Sequence, residues 1–256
     1  MKILITGGTG YVGSHVALLL KKSGHDVSVV ARGPERGSSS AERVRQLREV
    51  GVEVVLADLS VPGQLLSRVG QSGVQVIVHA VSNFLEPRGS ESLTLRSMGE
   101  VIFFAQACPS LLLFVDLSNN MPYGDTRASG HGADEKSVCR PNTVHGVNKL
   151  AAEQILRDSH LPWTILRISQ IYGGTGSSFD WIILDQIRRG KLPLPGNGQN
   201  RVGLVHIDDV CQAVSLSIEK RIIGGVLNIC SGDLSLTQAD LFTFLADCLK
   251  VKRPVK

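Results

Sequence analysis

Apolar residues fall into short unbroken runs, separated by longer stretches where apolar and polar positions recur at helical spacing. The runs are KILIT (2–6), DVSVVA (26–31), VEVVLA (52–57), VQVIVHA (74–80), LLLFVDL (111–117) and WTILRIS (163–169). Runs of this kind, rich in β-branched side chains, predict strands covered on both faces. Between them the spacing predicts helices near 11–23, 40–50, 62–71, 92–107 and 144–158. Strand and helix in strict alternation predict an α/β fold with a doubly wound parallel sheet, the Rossmann arrangement.

After residue 170 the rhythm changes. YGGTGSS and KLPLPGNGQN read as loops, with helices predicted at 178–189, 208–218 and 236–248 and short strands near 202–206 and 225–230. The expected organisation is a dinucleotide-binding domain over 1–170. A smaller substrate-binding region over 171–256 is expected to be interleaved with it. The stretch GPERGSSS (33–40) is too short to be a linker.

Composition narrows the class. A net charge of +4 in 256 residues is modest, and the densest basic run, Arg32, Arg36, Arg43, Arg45 and Arg48, has no aromatic residue among it. That pattern describes a solvated helix face and argues against a nucleic-acid partner. No apolar run reaches the roughly 18–20 residues that span a bilayer, so no membrane association is expected. The five cysteines, at 108, 139, 211, 230 and 248, have no metal-ligand spacing. Free thiols, no metal and a cytoplasmic location are therefore the expectations.

Candidate chemistry begins at ILITGGTGYVGSHVALLL. Gly7, Gly10 and Gly13 join the first strand to the first helix, with Thr9, Tyr11 and Val12 between them. Glycines there let the backbone approach a pyrophosphate, and the helix N-terminus offers free N–H groups to the anion. The second strand ends in VVARGPER, with no acid before Glu35. An acid at that place would favour NAD, whereas Arg32 and Arg36 suit the 2′-phosphate of NADP. NADP is the preferred cofactor, with NAD the alternative, unless both arginines merely face solvent. Asp58 and Leu59 end the third strand, where the adenine should lie. His79, Ala80 and Val81 end the fourth, nearer the nicotinamide. His79 can equally be a satisfied core histidine.

TGGTGYVGS, ADLS, PYGD, RPNTVHGVNKLAAE, LRISQIYG and NRVGLVHIDDV together resemble the extended short-chain dehydrogenase/reductases, the group of the NAD-dependent epimerases and dehydratases. The resemblance runs from Met1 to about Leu249. In that family the fifth helix reads roughly P-x-x-x-Y-G-x-S-K-x-x-x-E. Here it supplies Pro141, His145, Gly146, Asn148, Lys149 and Glu153. The resemblance implies that Lys149 contacts the nicotinamide ribose, and it puts His145 at the catalytic tyrosine. In SNNMPYG, Asn119 falls at the catalytic serine and Ser118 one residue earlier. Adjacent strand residues point to opposite faces, so a bulge or a one-residue shift is needed to bring Ser118 into play. Ile168 and Gln170 fall near the nicotinamide amide, with Ser169 between them. Tyr123, Tyr172 and Arg201 fall toward the substrate, and Asp208 reads as a cap of the following helix.

The substitutions change the chemistry. Tyrosine starts near pKa 10 and histidine near about 6.5, so His145 needs no downward shift to accept a proton. It suits alcohol oxidation as a base and carbonyl reduction mainly as a hydrogen-bond donor. Imidazole is shorter than phenol, and a misplacement of about 1 Å can cost on the order of 100-fold in rate. The expected function is an NAD(P)-dependent oxidoreductase or epimerase/dehydratase-like enzyme. Its substrate would be a small metabolite or sugar nucleotide, acted on at a carbonyl or hydroxyl. The alternative is a non-catalytic NADP(H)-binding sensor or subunit. Extended members usually continue beyond the point where VKRPVK ends, so a shorter, more open pocket or a truncated chain is expected. The resemblance further implies a homodimer through the helices at 92–107 and 144–158.

Overall fold

The computed structural model describes residues 1–32, 39–70, 73–82, 92–126, 132–174, 176–177, 183–232 and 235–253. Its elements in chain order are β1 (Lys2–Thr6), α1 (Tyr11–Lys22), β2 (Asp26–Ala31), α2 (Ser39–Glu49), β3 (Glu53–Leu56), α3 (Gln64–Val69), β4 (Val76–His79), α4 (Leu93–Gln106) and β5 (Leu113–Asn119). A 3-10 turn (Met121–Tyr123) follows, then α5 (Val144–Asp158), β6 (Trp163–Ile168), β7 (Gln170–Tyr172), α6 (Asp185–Arg188), β8 (Leu204–His206), α7 (Ile207–Glu219), β9 (Gly225–Ile229) and α8 (Gln238–Leu249).

Seven strands form one sheet in the order β3-β2-β1-β4-β5-β6-β9. β1 pairs in parallel with β2 on one side and β4 on the other. β2–β3 and β4–β5 are parallel as well. Winding therefore reverses between β1 and β4, and a doubly wound sheet opens its ligand crevice at the carboxyl ends of the strands beside such a reversal.

Register decides what faces the helices. Leu4, Ile77 and Phe114 lie in one row across β1, β4 and β5, and Thr6, His79 and Asp116 in the next row on the same face. The apolar row packs into a core with Met98, Val101, Phe104 and Ala105 of α4 and Ala152 and Leu156 of α5. One buried acid holds a helix start there. Glu100 accepts the Gly63 and Leu65 N–H groups, each at 2.8 Å, at the N-terminus of α3.

The chain divides into two compact units, Met1–Arg167 with Cys211–Asn228, and Ile168–Val210 with Ile229–Lys256. The second has its own core of Ile187, Leu241, Phe242 and Ala246. It also carries a two-stranded parallel sheet of β7 and β8. β7 is not among the strands expected from the sequence, since QIY is short and two glycines follow it. Of the helix expected at 178–189, α6 covers Asp185–Arg188, and 178–182 lie outside the described residues. Asp208 does not cap α7. It sits in the first turn, and its N–H donates to His206 Nδ1 at 3.2 Å, so the cap is the histidine. No helix among the described residues is long and apolar enough to cross a membrane. None of the five cysteines is in a disulfide.

Candidate functional site

The glycine loop closes onto the end of β4. Gly7 has φ +71°, and a Cβ there would lie 2.8 Å from the Ala80 carbonyl oxygen. A Cβ on Gly13 would stand 2.4 Å from the Gly7 carbonyl oxygen. Only glycine suits the first position, and any side chain at the second would lift α1 off the loop. Gly8, not singled out from the sequence, packs so closely on Val29 that a Cβ would meet that side chain at 2.4 Å. Gly10 precedes the first turn of α1, donates its N–H to the Gly7 carbonyl at 2.9 Å and leaves that turn free of acids. Thr9, Tyr11 and Val12 complete this backbone cradle, which fits a pyrophosphate in shape and polarity.

Cations surround the neighbouring strand ends. Arg32 is exposed at the end of β2. Arg36 and Glu35 lie outside the described residues. Arg43 of α2 donates from Nη1 to the Thr9 carbonyl at 3.0 Å, which places a guanidinium on the loop itself. Arg43 is thus not one of the solvated charges expected of this run, because a one-dimensional run hides which arginine turns inward. Asp58 accepts both the N–H and the hydroxyl of Ser60. Those bonds, helped by Arg32 and Arg96, hold its carboxyl below the usual range. The Leu59 side chain belongs to the core, so what this residue has to offer a cofactor is its backbone.

His79 is corrected. It is 1 % exposed, its Nδ1 lies 2.7 Å from the Thr6 hydroxyl, and it points into the protein rather than toward the ligand edge. Burial, with the charge of Lys149, pushes its pKa down to about 3, so the ring is neutral. Ala80 and Val81 stay at the edge, the former under Gly7 and the latter lending its carbonyl to Lys149.

Lys149 is 2 % exposed. Its Nζ donates to the Leu117 carbonyl at 3.1 Å and the Val81 carbonyl at 3.3 Å. The ammonium thus stands at the carboxyl ends of β4 and β5, where the doubly wound fold binds ligands. One turn earlier on α5, His145 Nε2 lies 2.8 Å from Asn119 Nδ2. Asn119 Oδ1 accepts the Met121 N–H at 3.0 Å, which fixes the amide with its NH2 toward the ring. His145 Nε2 is therefore an unprotonated acceptor. Thr143 caps α5 by accepting the Gly146 N–H at 3.0 Å, and a Cβ at Gly146 would meet the Met121 carbonyl at 2.7 Å. That close approach sets the start of α5 against the Met121–Tyr123 turn, which follows Asn119.

Ser118 faces the other way. Its hydroxyl donates to Glu153 at 2.6 Å. Glu153 also takes two bonds from Arg167, at 3.0 and 2.7 Å, and one from Arg157 at 3.0 Å. No bulge brings Ser118 beside Asn119, and it is corrected from a catalytic to a structural position. Tyr123 is corrected too. It is 6 % exposed, stacks under the Arg167 guanidinium at 4.6 Å and donates its hydroxyl to Asn228 at 2.8 Å, so it turns no face toward a substrate.

The remaining candidates lie in the second unit. Ile168 is buried, Gln170 is exposed, and Ser169 donates its hydroxyl to the Ile229 carbonyl at 3.1 Å. Tyr172 packs edge-on against His206 with ring centres 5.2 Å apart. Exposed Arg201 forms an isolated bridge with Thr237.

A doubly wound sheet with a glycine-rich turn at the first helix start and a buried lysine at the strand ends defines a Rossmann-type α/β protein. Residues 3–230 match the model of the NAD dependent epimerase/dehydratase family, and the chain belongs to that family. It is 23% identical over 265 residues to a dTDP-D-glucose 4,6-dehydratase of Dictyostelium discoideum, covering 94% of this chain but only 60% of that protein, less than two thirds of its length. It is 27% identical over 239 residues to a 3-diazoavenalumate denitrifying reductase of a Streptomyces species, covering 88% of this chain and 74% of the reductase. The fold is shared with a dTDP-glucose 4,6-dehydratase of Bacillus anthracis solved with NAD. There the TM-score is 0.82 at 21% identity, over 100% of this chain and 84% of the other.

Proposed function

We propose that this chain is an NAD(P)-dependent oxidoreductase or epimerase/dehydratase-like enzyme that prefers NADP and acts on a carbonyl or hydroxyl of a small metabolite or sugar nucleotide. The observation that carries this reading is the buried Lys149 ammonium at the ends of β4 and β5, one helical turn from the paired His145 and Asn119. When bound, the nicotinamide supplies the hydride acceptor or donor. Gly7, Gly10 and Gly13 would hold its pyrophosphate and Lys149 its ribose. Arg32, with Arg43 beside the loop, favours the dianionic 2′-phosphate.

His145 performs the proton step. Its Nε2 lone pair is held toward Asn119, and a substrate hydroxyl that replaces the Asn119 NH2 as donor can pass its proton to that nitrogen. In the reductive direction the imidazolium returns the proton to the developing alkoxide. Asn119 cannot relay a proton as a hydroxyl can, and it positions the oxygen. The dehydratase and reductase relatives support both reaction types. Exposed Phe103 of α4 and Val147 and Ile155 of α5 support a homodimer through these helices.

A non-catalytic cofactor-binding role is the rival, and the occupied Nε2 of His145 is the observation in its favour. His145→Phe is expected to lose about 100-fold or more in turnover on a responsive carbonyl or sugar-nucleotide substrate while binding NADPH normally. Unchanged turnover would exclude His145 from the chemistry, and no turnover by the native chain across a broad set of carbonyl and sugar-nucleotide substrates would favour the rival. Arg32→Ala should bring NADPH affinity down to that for NADH, a loss on the order of tenfold for one charge-assisted contact. Equal affinities in the native chain would defeat the NADP preference.

A further inference from the structure

Behind Lys149 lies a group that the proposed chemistry does not use. Asp116 of β5 is 0% exposed, and neither of its carboxyl oxygens has a hydrogen-bond partner among the described residues. His79 Nε2, also buried, lacks one as well. The two residues are cross-strand neighbours in register on one sheet face. Two unmet polar groups side by side in a dry interior are costly unless they share a partner, and one enclosed water with bonds to both is the smallest that serves. Their strands also carry the carbonyls that hold Lys149, Val81 two residues beyond His79 and Leu117 next to Asp116.

We propose that Asp116 is a positioning residue for Lys149: with His79 it encloses one water inside the sheet, and loss of its carboxyl proton weakens the hold on an anionic cofactor. Other charges around it are committed. On α5 and β6, Glu153 is tied to Arg157 and Arg167. On α4 the ionisable group buried among the described residues is Glu100, bound to the start of α3. His79 on β4 is neutral. Lys149, and after it Arg157, are the cations in whose field the Asp116 carboxyl titrates without a hydrogen-bond partner of its own.

Burial pushes the Asp116 pKa up to about 6, with Lys149 opposing and Glu153 adding to the shift. The native state therefore favours the protonated acid. The stability this gives is full below about pH 4, where the unfolded chain is also protonated, and is lost as pH rises through about 6. Once ionised, Asp116 sets a negative charge near the ammonium and offsets part of its attraction for a phosphate-bearing cofactor.

Two measurements test this, and only the second rests on the proposed function. In the cofactor-free chain, 13C-labelled aspartate carboxyl signals should include one that titrates near pH 6 and is absent from Asp116→Asn; if that signal titrates in the ordinary aspartate range instead, the proposal falls. Asp116→Ser, which keeps a hydroxyl for the water, serves for assignment if the asparagine variant does not fold. NADH is chosen for binding because its phosphates do not titrate near neutrality. Between about pH 5.5 and 7.5 its affinity should weaken about threefold in the native chain and stay flat in Asp116→Asn. The same pH dependence in both would overturn the coupling. Failure of NADH to bind at any pH would count against the functional reading and the coupling together, while a carboxyl signal near pH 6 would still uphold the buried acid.

Discussion

Glu153→Ala is expected to cost about 3–5 kcal/mol of stability, the usual effect of breaking a buried ion pair from one side. Arg167, 3 % exposed, would keep its charge with no carboxylate to meet it, and the Ser118 hydroxyl would lose its acceptor. At roughly 2–4 °C per kcal/mol for a chain of this size, melting should fall by about 10 °C. Glu153→Gln keeps the shape and one acceptor oxygen, so it should cost less. The exposed Asp247–Arg253 pair is a useful contrast, because solvent screens it and its removal should hardly move the melting temperature. Thermal unfolding of these variants followed by circular dichroism checks the ordering. If Glu153→Ala melts with the native chain, the network does not hold β5, α5 and β6 together.

That network shows where the sequence was legible and where it was not. Each strand of the sheet core was readable because a strand buried on both faces must be a continuous apolar run, and the glycine motif because a cradle without room for Cβ must be glycine. Lys149 was legible through the resemblance of HGVNK to the family's helix motif, since its spacing to His145 shows only that the two share a helix face. The partners of Glu153 were not, because Ser118 and Arg167 come from two other elements and meet it only after folding. Asp116 was hidden inside LLLFVDL, where a single acid does not interrupt an apolar run. The run itself buries it. Arg43 was hidden for the opposite reason, as one of several charges whose direction a helix alone decides. Ser118 and Asn119 could be separated by strand alternation in principle, but a bulge would have reversed them, and only the Ser118–Glu153 bond shows that none intervenes.

The second large effect belongs to Lys149. Lys149→Met preserves the length and apolar stem of the side chain but removes the ammonium that joins α5 to Val81 and Leu117. Two effects combine. The strand-end carbonyls lose a charged donor, and the cofactor loses the cation expected at its ribose. A hydrogen bond to a charged group is worth about 1.5–3 kcal/mol, so cofactor affinity should fall by roughly ten- to 100-fold. Because Glu153 and Arg167 remain paired, the variant should keep most of its stability. A fall in affinity without unfolding separates a binding role from a structural one.

Fluorescence titration of the native chain and Lys149→Met with NADPH decides whether the chain holds a nicotinamide dinucleotide at the strand ends with Lys149 as its anchor. The expected result is saturable binding by the native chain, tighter than for NADH, and binding weakened at least about tenfold in the folded variant. The absence of saturable binding by the native chain, or equal affinity in the two, would contradict it.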